Sequence, residues 1–303
     1  MGWRLLILGS NAAMPNHGRI TSSQVLLTDT KYYQIDCGEA TQMRLSQYKV
    51  KRNRIAAVFI SHLHGDHVFG LPGLITSYFH FSRKEDLHII GPQGIQELLE
   101  TILRLSECHL NFKVHITELD AEEKTLVYTD NVANVYAFPL NHRIKTNGYR
   151  FEEKESKVNI RKDQIQKLEL SVEEILKLKD GVEVHRPDHY VITPAQVLHP
   201  RTPPLSYAYC SDTKYDERTI AFVQGVQLLY HEATYLHELA VKAAERGHST
   251  AKEAAMIAQA AEVGKLAIGH YSGKYRDVQA LLDQAQETFK NTVRAYDGEF
   301  IDI

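Results

Sequence analysis

Between His62 and His67 the chain sets three imidazoles and one carboxylate, as His62-x-His64-x-Asp66-His67, directly behind the apolar run Ala57-Val58-Phe59-Ile60. A short apolar run of this kind reads as a buried strand. Side chains that leave its end through a turn containing Gly65 can point to different sides of one cavity, which suits two adjacent metals better than one. Imidazole nitrogen and carboxylate oxygen without thiolate are ligands for Zn²⁺ or Mn²⁺ in a hydrolytic site, not for a closed structural zinc. The fold must therefore bring further ligands to this turn.

Candidates for those ligands recur behind later apolar runs. Asn141-His142 follows Val135–Leu140, Ser211-Asp212-Thr213 follows Tyr207–Cys210, and Gly269-His270 follows Leu266–Ile268. Strand patterns at Arg4–Leu8, Ser23–Leu27, Tyr32–Ile35 and Ile55–Ile60 open the chain, and helical periodicity follows at Leu71–Phe81 and Gln93–Leu105. Strands are expected at Phe112–Ile116, Thr125–Thr129 and Val132–Phe138, then again at Ser206–Tyr209, Gln227–Tyr230, Lys265–Ile268 and Thr292–Ala295. Helices around Tyr215–Phe222, Ala251–Ala261 and Val278–Phe289 alternate with the later strands. Thr250-x-x-Glu253 is a capping box and places His248 in a loop just before a helix N-terminus. This alternation predicts an α/β sandwich with the site along one edge, where the strand-end loops converge.

Residues 152–198 break the pattern with a charged, glycine-poor stretch, read as an arm inserted into a single domain spanning 1–303. Ser171-Val172-Glu173-Glu174 is a capping box that opens a short helix, closed by Asp180-Gly181. A net charge of −3 gives no global argument for nucleic-acid binding, so any such surface must be local. Local clusters exist at Lys49–Arg54 and between Lys145 and Lys167. Three cysteines without a C-x-x-C pair suggest neither a disulfide framework nor a zinc ribbon, and the short apolar start lacks the features of a signal segment. A cytoplasmic protein without a membrane span is expected.

Five segments together resemble the ribonuclease Z family of the metallo-β-lactamase superfamily, whose members mature the 3′ end of transfer RNA. They are Asp36-Cys37-Gly38-Glu39-Ala40-Thr41-Gln42, Ser61–His67 running into Gly70-Leu71-Pro72-Gly73-Leu74, His231-Glu232-Ala233-Thr234, Gly247-His248-Ser249-Thr250, and His270–Tyr275. The resemblance implies an αββα sandwich of two mixed β-sheets flanked by helices, with the insertion as a protruding arm. It implies two Zn²⁺ per subunit, or Mn²⁺ in their place: His62, His64 and His142 on one, Asp66, His67 and His270 on the other, Asp212 bridging. Asp66 would be the base toward an attacking water, and His248, oriented by Glu232, the acid toward the leaving 3′-oxygen. His231 reads as structural.

Ser272, Lys274 and Arg19 would contact substrate by the same resemblance. Lys274 stands where family members usually carry arginine, replacing a bidentate phosphate contact by a point charge. The arm departs further, since no glycine or proline occurs from Lys162 to Lys179, although Lys154, Lys157, Arg161 and Lys162 could meet phosphates. Precursor tRNA is the expected substrate and a homodimer the expected assembly. A metal-dependent phosphodiesterase acting on small diesters is the alternative, and a non-catalytic binding protein with a decayed site the reading from another class.

Overall fold

The computed structural model describes residues 2–154, 159–199 and 203–303; Lys157, expected among the arm's basic residues, lies outside them. The chain forms two compact units, Met1–Glu153 with Leu205–Ile303, and Lys154–Pro204.

The larger unit runs β1 (Arg4–Gly9), β2 (Ser23–Leu27), β3 (Tyr32–Cys37), α1 (Thr41–Gln47), β4 (Ile55–Phe59), α2 (Gly65–Val68), α3 (Gly70–His80), β5 (Leu87–Gly91), α4 (Ile95–Leu105), β6 (Val114–Glu118), β7 (Thr125–Thr129), β8 (Ala133–Leu140) and β9 (Thr146–Glu153). The smaller unit holds α5 (Lys162–Lys167), α6 (Val172–Lys179), β10 (Val184–His185), β11 (Val191–Ile192) and α7 (Pro194–Val197). The larger unit resumes with β12 (Ser206–Cys210), α8 (Arg218–Val223), β13 (Leu228–Glu232), α9 (Ala240–Arg246), α10 (Ala251–Ala260), β14 (Lys265–Gly269), α11 (Gln279–Thr288), β15 (Thr292–Arg294) and β16 (Phe300–Asp302).

Two seven-stranded sheets result, ordered β16-β1-β2-β3-β4-β5-β6 and β15-β14-β13-β12-β9-β8-β7. Both are mixed. Pairing is parallel from β3 through β6 and from β12 through β15, and antiparallel elsewhere. Inner faces meet in one core, where Leu5, Ile7, Tyr33, Ile35 and Phe59 of the first sheet pack with Val135, Tyr149, Phe151, Tyr207, Tyr209 and Tyr230 of the second. The outer face of the first sheet is covered by α1, α3 and α4 through Leu45, Leu71, Leu74, Ile75 and Leu99. Ala254, Ile257, Ala258, Leu281 and Ala285 of α10 and α11 cover the other. Each sheet is thus apolar on both faces, and this explains the near-continuous hydrophobic runs of its parallel strands.

The smaller unit has its own core of Ile160, Leu170, Leu178, Val184, Ile192 and Val197. Its α6 begins at the expected capping box, with Ser171 Oγ accepting from the Glu174 backbone N–H at 3.2 Å and Glu174 Oε2 accepting from the Ser171 N–H at 2.8 Å. A further strand, β9, stands where the sequence Thr-Asn-Gly-Tyr-Arg-Phe-Glu-Glu alternates only over Tyr149–Glu152 and opens on the polar, turn-like Asn147-Gly148. Asn147 explains it: buried in mid-sheet, it accepts from the Ala121 N–H at 2.9 Å and donates to the Leu119 carbonyl at 3.1 Å, so a polar residue fills an interior position with its bonds satisfied. No helix among the described residues is long and apolar enough to cross a membrane.

Candidate metal centre

One edge of the sandwich gathers the C-terminal ends of β3, β4, β8, β12, β13 and β14, where the two sheets' inner layers open to solvent. His62, His64, Asp66 and His67 follow β4; His142 lies two residues beyond β8, Asp212 two beyond β12, and His270 one beyond β14. All seven expected ligands meet there. The ligand atoms of His62, His64, His142 and Asp212 lie within 4.8 Å of one another, and those of Asp66, His67 and His270 do likewise. Asp212 spans both groups. Its Oδ2 is 3.5 Å from His62 Nε2 and 3.7 Å from His142 Nε2, while its Oδ1 is 2.9 Å from His270 Nε2 and 3.2 Å from His67 Nε2.

Backbone strain accompanies this convergence. Asp36, Asp212 and His270 sit at φ of 49°, 57° and 57°, left-handed conformations that cost a residue with a Cβ about 1–3 kcal/mol each. Each turns a side chain inward just where its strand ends.

Outward-facing atoms of the imidazoles are tied to the protein. His67 Nδ1 donates to Asp36 Oδ2 at 2.6 Å, His142 Nδ1 donates to the Gly247 carbonyl at 2.7 Å, His270 Nδ1 lies 3.0 Å from Thr234 Oγ1, and His62 Nδ1 lies 2.9 Å from Ser61 Oγ. Such bonds fix the ring orientation and leave Nε2 with its lone pair turned inward. His142 Nε2 is buried with no hydrogen-bond partner among the described residues. His67 Nε2 and His270 Nε2 face each other at 3.3 Å, and His62 Nε2 faces His64 Nδ1 at 2.9 Å. Two imidazole nitrogens at such distances need a shared proton or a cation between them, and an orphaned buried acceptor needs one too. The donor set fits divalent metal ions.

The electrostatics agree. Burial lowers the His62, His64 and His142 pKa values, keeping these rings neutral as a ligand must be. Burial also disfavours charge on His67 and His270, but Asp212 and its neighbouring carboxylates outweigh it, holding His67 well above the ordinary range and His270 up to about 10. Burial opposes charge on Asp66 and Asp212 as well, but the neighbouring His67 and His270 outweigh it and hold both well below the usual carboxylate range. Negative charge is thus concentrated where a cation would sit.

Glu232, the last residue of β13, is buried and accepts three bonds: from the Thr213 N–H at 2.6 Å, from Thr234 Oγ1, and from His248 Nδ1 at 3.0 Å. Its ligand atoms also fall within reach of Asp212, His248 and His270. With its oxygens already occupied, it serves His248 better than a metal. Burial lowers the His248 pKa, yet Glu232 outweighs that and raises it. His231 is buried with Nδ1 2.8 Å from the Glu232 carbonyl.

A cleft of about 520 Å³ opens over the cluster, lined by His64, Asp66, Asp212, His248 and His270 together with Ala12, Ala13, Thr21, Glu39, Gly65, Phe69 and Arg143. The Ala13 N–H donates to Asp66 Oδ2 at 2.8 Å. Ser272 and Lys274 lie outside this lining; the Ser272 N–H donates to Thr234 O at 3.3 Å, and Lys274 Nζ sits 4.7 Å from the Tyr275 ring centre. Arg19 does not face the cleft. It is 1% exposed, and its guanidinium donates to Asn11 Oδ1, the Tyr275 carbonyl and the Arg276 carbonyl, so it fastens the N-terminal loop and is buried away from any acceptor stem.

Comparison with known proteins follows the same outline. Residues 3–152 match the family model described as Anti-Pycsar protein Apyc1. Over 298 residues, 98% of each chain, the sequence is 43% identical to ribonuclease Z of Porphyromonas gingivalis. The chain belongs to the ribonuclease Z family. Among solved structures this ribonuclease Z is similar to human tRNase Z, short form, with a TM-score of 0.72 and 25% identity over 99% of both chains. It shares its fold with the metallo-β-lactamase fold protein YhfI from Bacillus subtilis, with a TM-score of 0.68 and 17% identity over the whole of both.

Several residues that support the cluster were not singled out by sequence reasoning. Asp36 accepts from the Ser61 N–H at 2.7 Å, Ser61 Oγ at 2.9 Å and Tyr209 OH at 2.6 Å, besides His67. Thr234 joins Glu232 to His270. Both lie in segments that carried the family resemblance, and a polar residue ending an apolar strand was the available signal for Asp36; Tyr209, inside a buried strand, had none.

Proposed function

We propose that this ribonuclease Z removes the 3′ trailer of precursor tRNA, leaving a 3′-hydroxyl on the tRNA and a 5′-phosphate on the trailer, and that two Zn²⁺, or Mn²⁺, serve it in each subunit. The observation that supports it most is Asp212 reaching one ligand group with each oxygen while the Glu232–His248 pair stands beside it. His62, His64 and His142 would hold one ion, Asp66, His67 and His270 the other, and Asp212 both. Ions held there supply Lewis-acid stabilisation of charge on phosphoryl oxygens and make a water acidic enough to attack at neutral pH.

Within the protein, Asp66 takes the proton of the attacking water, its orientation held by the Ala13 N–H. As the bond from phosphorus to the 3′-oxygen breaks, His248 gives that oxygen a proton from Nε2, the nitrogen not engaged by Glu232. Glu232, ionised and buried, stabilises the protonated ring and fixes its tautomer.

The Lys154–Pro204 unit is the arm of this reading, part of a single catalytic domain, and its Lys154, Arg161 and Lys162 meet tRNA phosphates. Arg161 Nη2 donates to the Gln196 carbonyl, so only part of its guanidinium is free for this. A homodimer and a cytoplasmic location complete the proposal. Incubating the purified chain and Zn²⁺ or Mn²⁺ with a trailer-bearing precursor tests it; a cut beside the discriminator nucleotide is expected. An intact precursor alongside rapid hydrolysis of a chromogenic diester would favour a small-diester phosphodiesterase instead.

A further inference from the structure

We infer that Phe69 and Arg143 form a nucleotide subsite at the rim of the metal cleft, where the base beside the scissile bond stacks on the Phe69 ring and a phosphate of the same segment pairs with Arg143. The inference rests on the ribonuclease reading and names how that site grips its single-stranded substrate.

Phe69 sits at the junction of α2 and α3, two residues past the ligand His67. It is 68% exposed, although the helices that flank it bury Val68, Leu71, Leu74, Ile75 and Tyr78. A Cβ on Gly65 would come within 2.3–2.7 Å of three ring atoms, so the ring lies over the Gly65 backbone in space that any other residue would fill. Gly65 itself lies between His64 and Asp66, and the ring is thereby fixed to the turn that carries the first ligands. An aromatic surface open to solvent inside a polar cleft is a stacking platform, which any nucleobase can use because every base has a π-face.

Arg143 directly follows the ligand His142 and lines the same cleft. Among the described residues it makes no hydrogen bond or ion pair. The rest of the lining supplies the carboxylates Glu39, Asp66 and Asp212 and three histidines, so Arg143 is the one fixed cation in it. Arg19, in contrast, engages all three guanidinium nitrogens with the protein. An uncommitted guanidinium offers paired N–H groups matched to a phosphate. Single-stranded RNA, with unstacked bases and a phosphate at each step, supplies both partners at once. A protein partner seated on Phe69 would leave Arg143 without a counter-charge drawn from the reaction.

The test is steady-state cleavage of a trailer-bearing precursor tRNA by the full metal-loaded chain, after the wild type has been shown to cut it; a wild type that does not cut overturns the ribonuclease reading and leaves the variants unmeasured. Phe69→Ala is expected to raise KM about tenfold, the equivalent of ~1.4 kcal/mol of stacking, with kcat within about threefold and metal content unchanged. Phe69→Trp restores KM. A precursor with an abasic nucleotide on one side of the cut removes the difference between Phe69→Ala and wild type. Arg143→Ala raises KM and lowers the slope of log KM against log salt by about one, and Arg143→Lys recovers part of it. The subsite is overturned if Phe69→Ala matches wild type in KM, if its defect persists with both flanking bases removed, or if it acts by changing the oligomeric state. An Arg143→Ala variant with an unchanged salt slope overturns the phosphate contact.

Discussion

The two sheets contribute to the site in different ways. From the first, four candidate ligands arrive in one turn after β4, and sequence separation alone keeps them together. From the second, His142, Asp212, Glu232 and His270 arrive singly from β8, β12, β13 and β14, and only pairing in register, parallel from β12 to β14 and through two antiparallel steps across β9 to β8, brings their ends to one edge. The compact motif is therefore specified locally, whereas the dispersed half depends on the whole sandwich and is held by strained backbone at Asp212 and His270 and by bonds from Thr234 and Gly247. The difference teaches that a hydrolytic site can be half motif and half topology, with Asp212 joining the halves.

If both halves hold metal equally, His64→Ala from the first and Asp212→Ala from the second should each lower kcat by well over ~100-fold, since losing even a supporting residue of a metal ligand costs 10–100-fold. RNA affinity, measured by filter binding, should stay within about threefold of wild type for His64→Ala. A mutant at either position that turns over near the normal rate breaks the symmetry between the halves.

The Glu232–His248 pair belongs wholly to the second sheet and should be separable from metal binding. His248→Ala should cost about 10²–10⁴ in kcat, the usual range for a general acid, at full metal content. The pH profile adds a sign. Glu232 raises the His248 pKa, so the protonated acid persists to higher pH than a free imidazole, and activity falls only as pH rises through that raised value. Glu232→Gln removes the carboxylate, and the alkaline limb of kcat should move to lower pH; a limb that stays put contradicts the assignment.

Asp36→Asn sharpens the first-sheet side. Its carboxylate holds His67, Ser61 and Tyr209, so metal affinity by competition with a chelator should fall about 10–100-fold while the fold persists. The smallest effect is expected at the second-sheet counterpart, Gly247. It has φ 79°, and a Cβ there would lie 2.6 Å from His142 Nδ1. Gly247→Ala should therefore destabilise the chain by about 1–3 kcal/mol in denaturant unfolding.

The same contrast governs what could be read in the sequence. His62 to His67 was legible because its chemistry is packed into six positions behind an apolar strand. His142, Asp212 and His270 were legible as polar residues ending apolar runs, but their convergence was given by resemblance, not by spacing. Most strands buried on both faces announced themselves by hydrophobic runs, while β5, whose run His88 interrupts, and β9, where Asn147 and Gly148 satisfy tertiary needs that local pattern cannot express, did not. Arg19 shows the converse. A loop arginine looks available to a nucleic acid until the fold surrounds it with carbonyls, and Arg143, unremarked beside His142, was left with the free guanidinium instead.

Catalysis by this site requires both groups of ligands to be occupied, and elemental analysis of the purified chain after reconstitution with Zn²⁺ measures this directly. About two ions per chain are expected for wild type, with Asp212→Ala, which touches both groups, losing more than His142→Ala, which touches one. A wild-type chain that retains no metal, or an Asp212→Ala chain that retains as much as wild type, would contradict it.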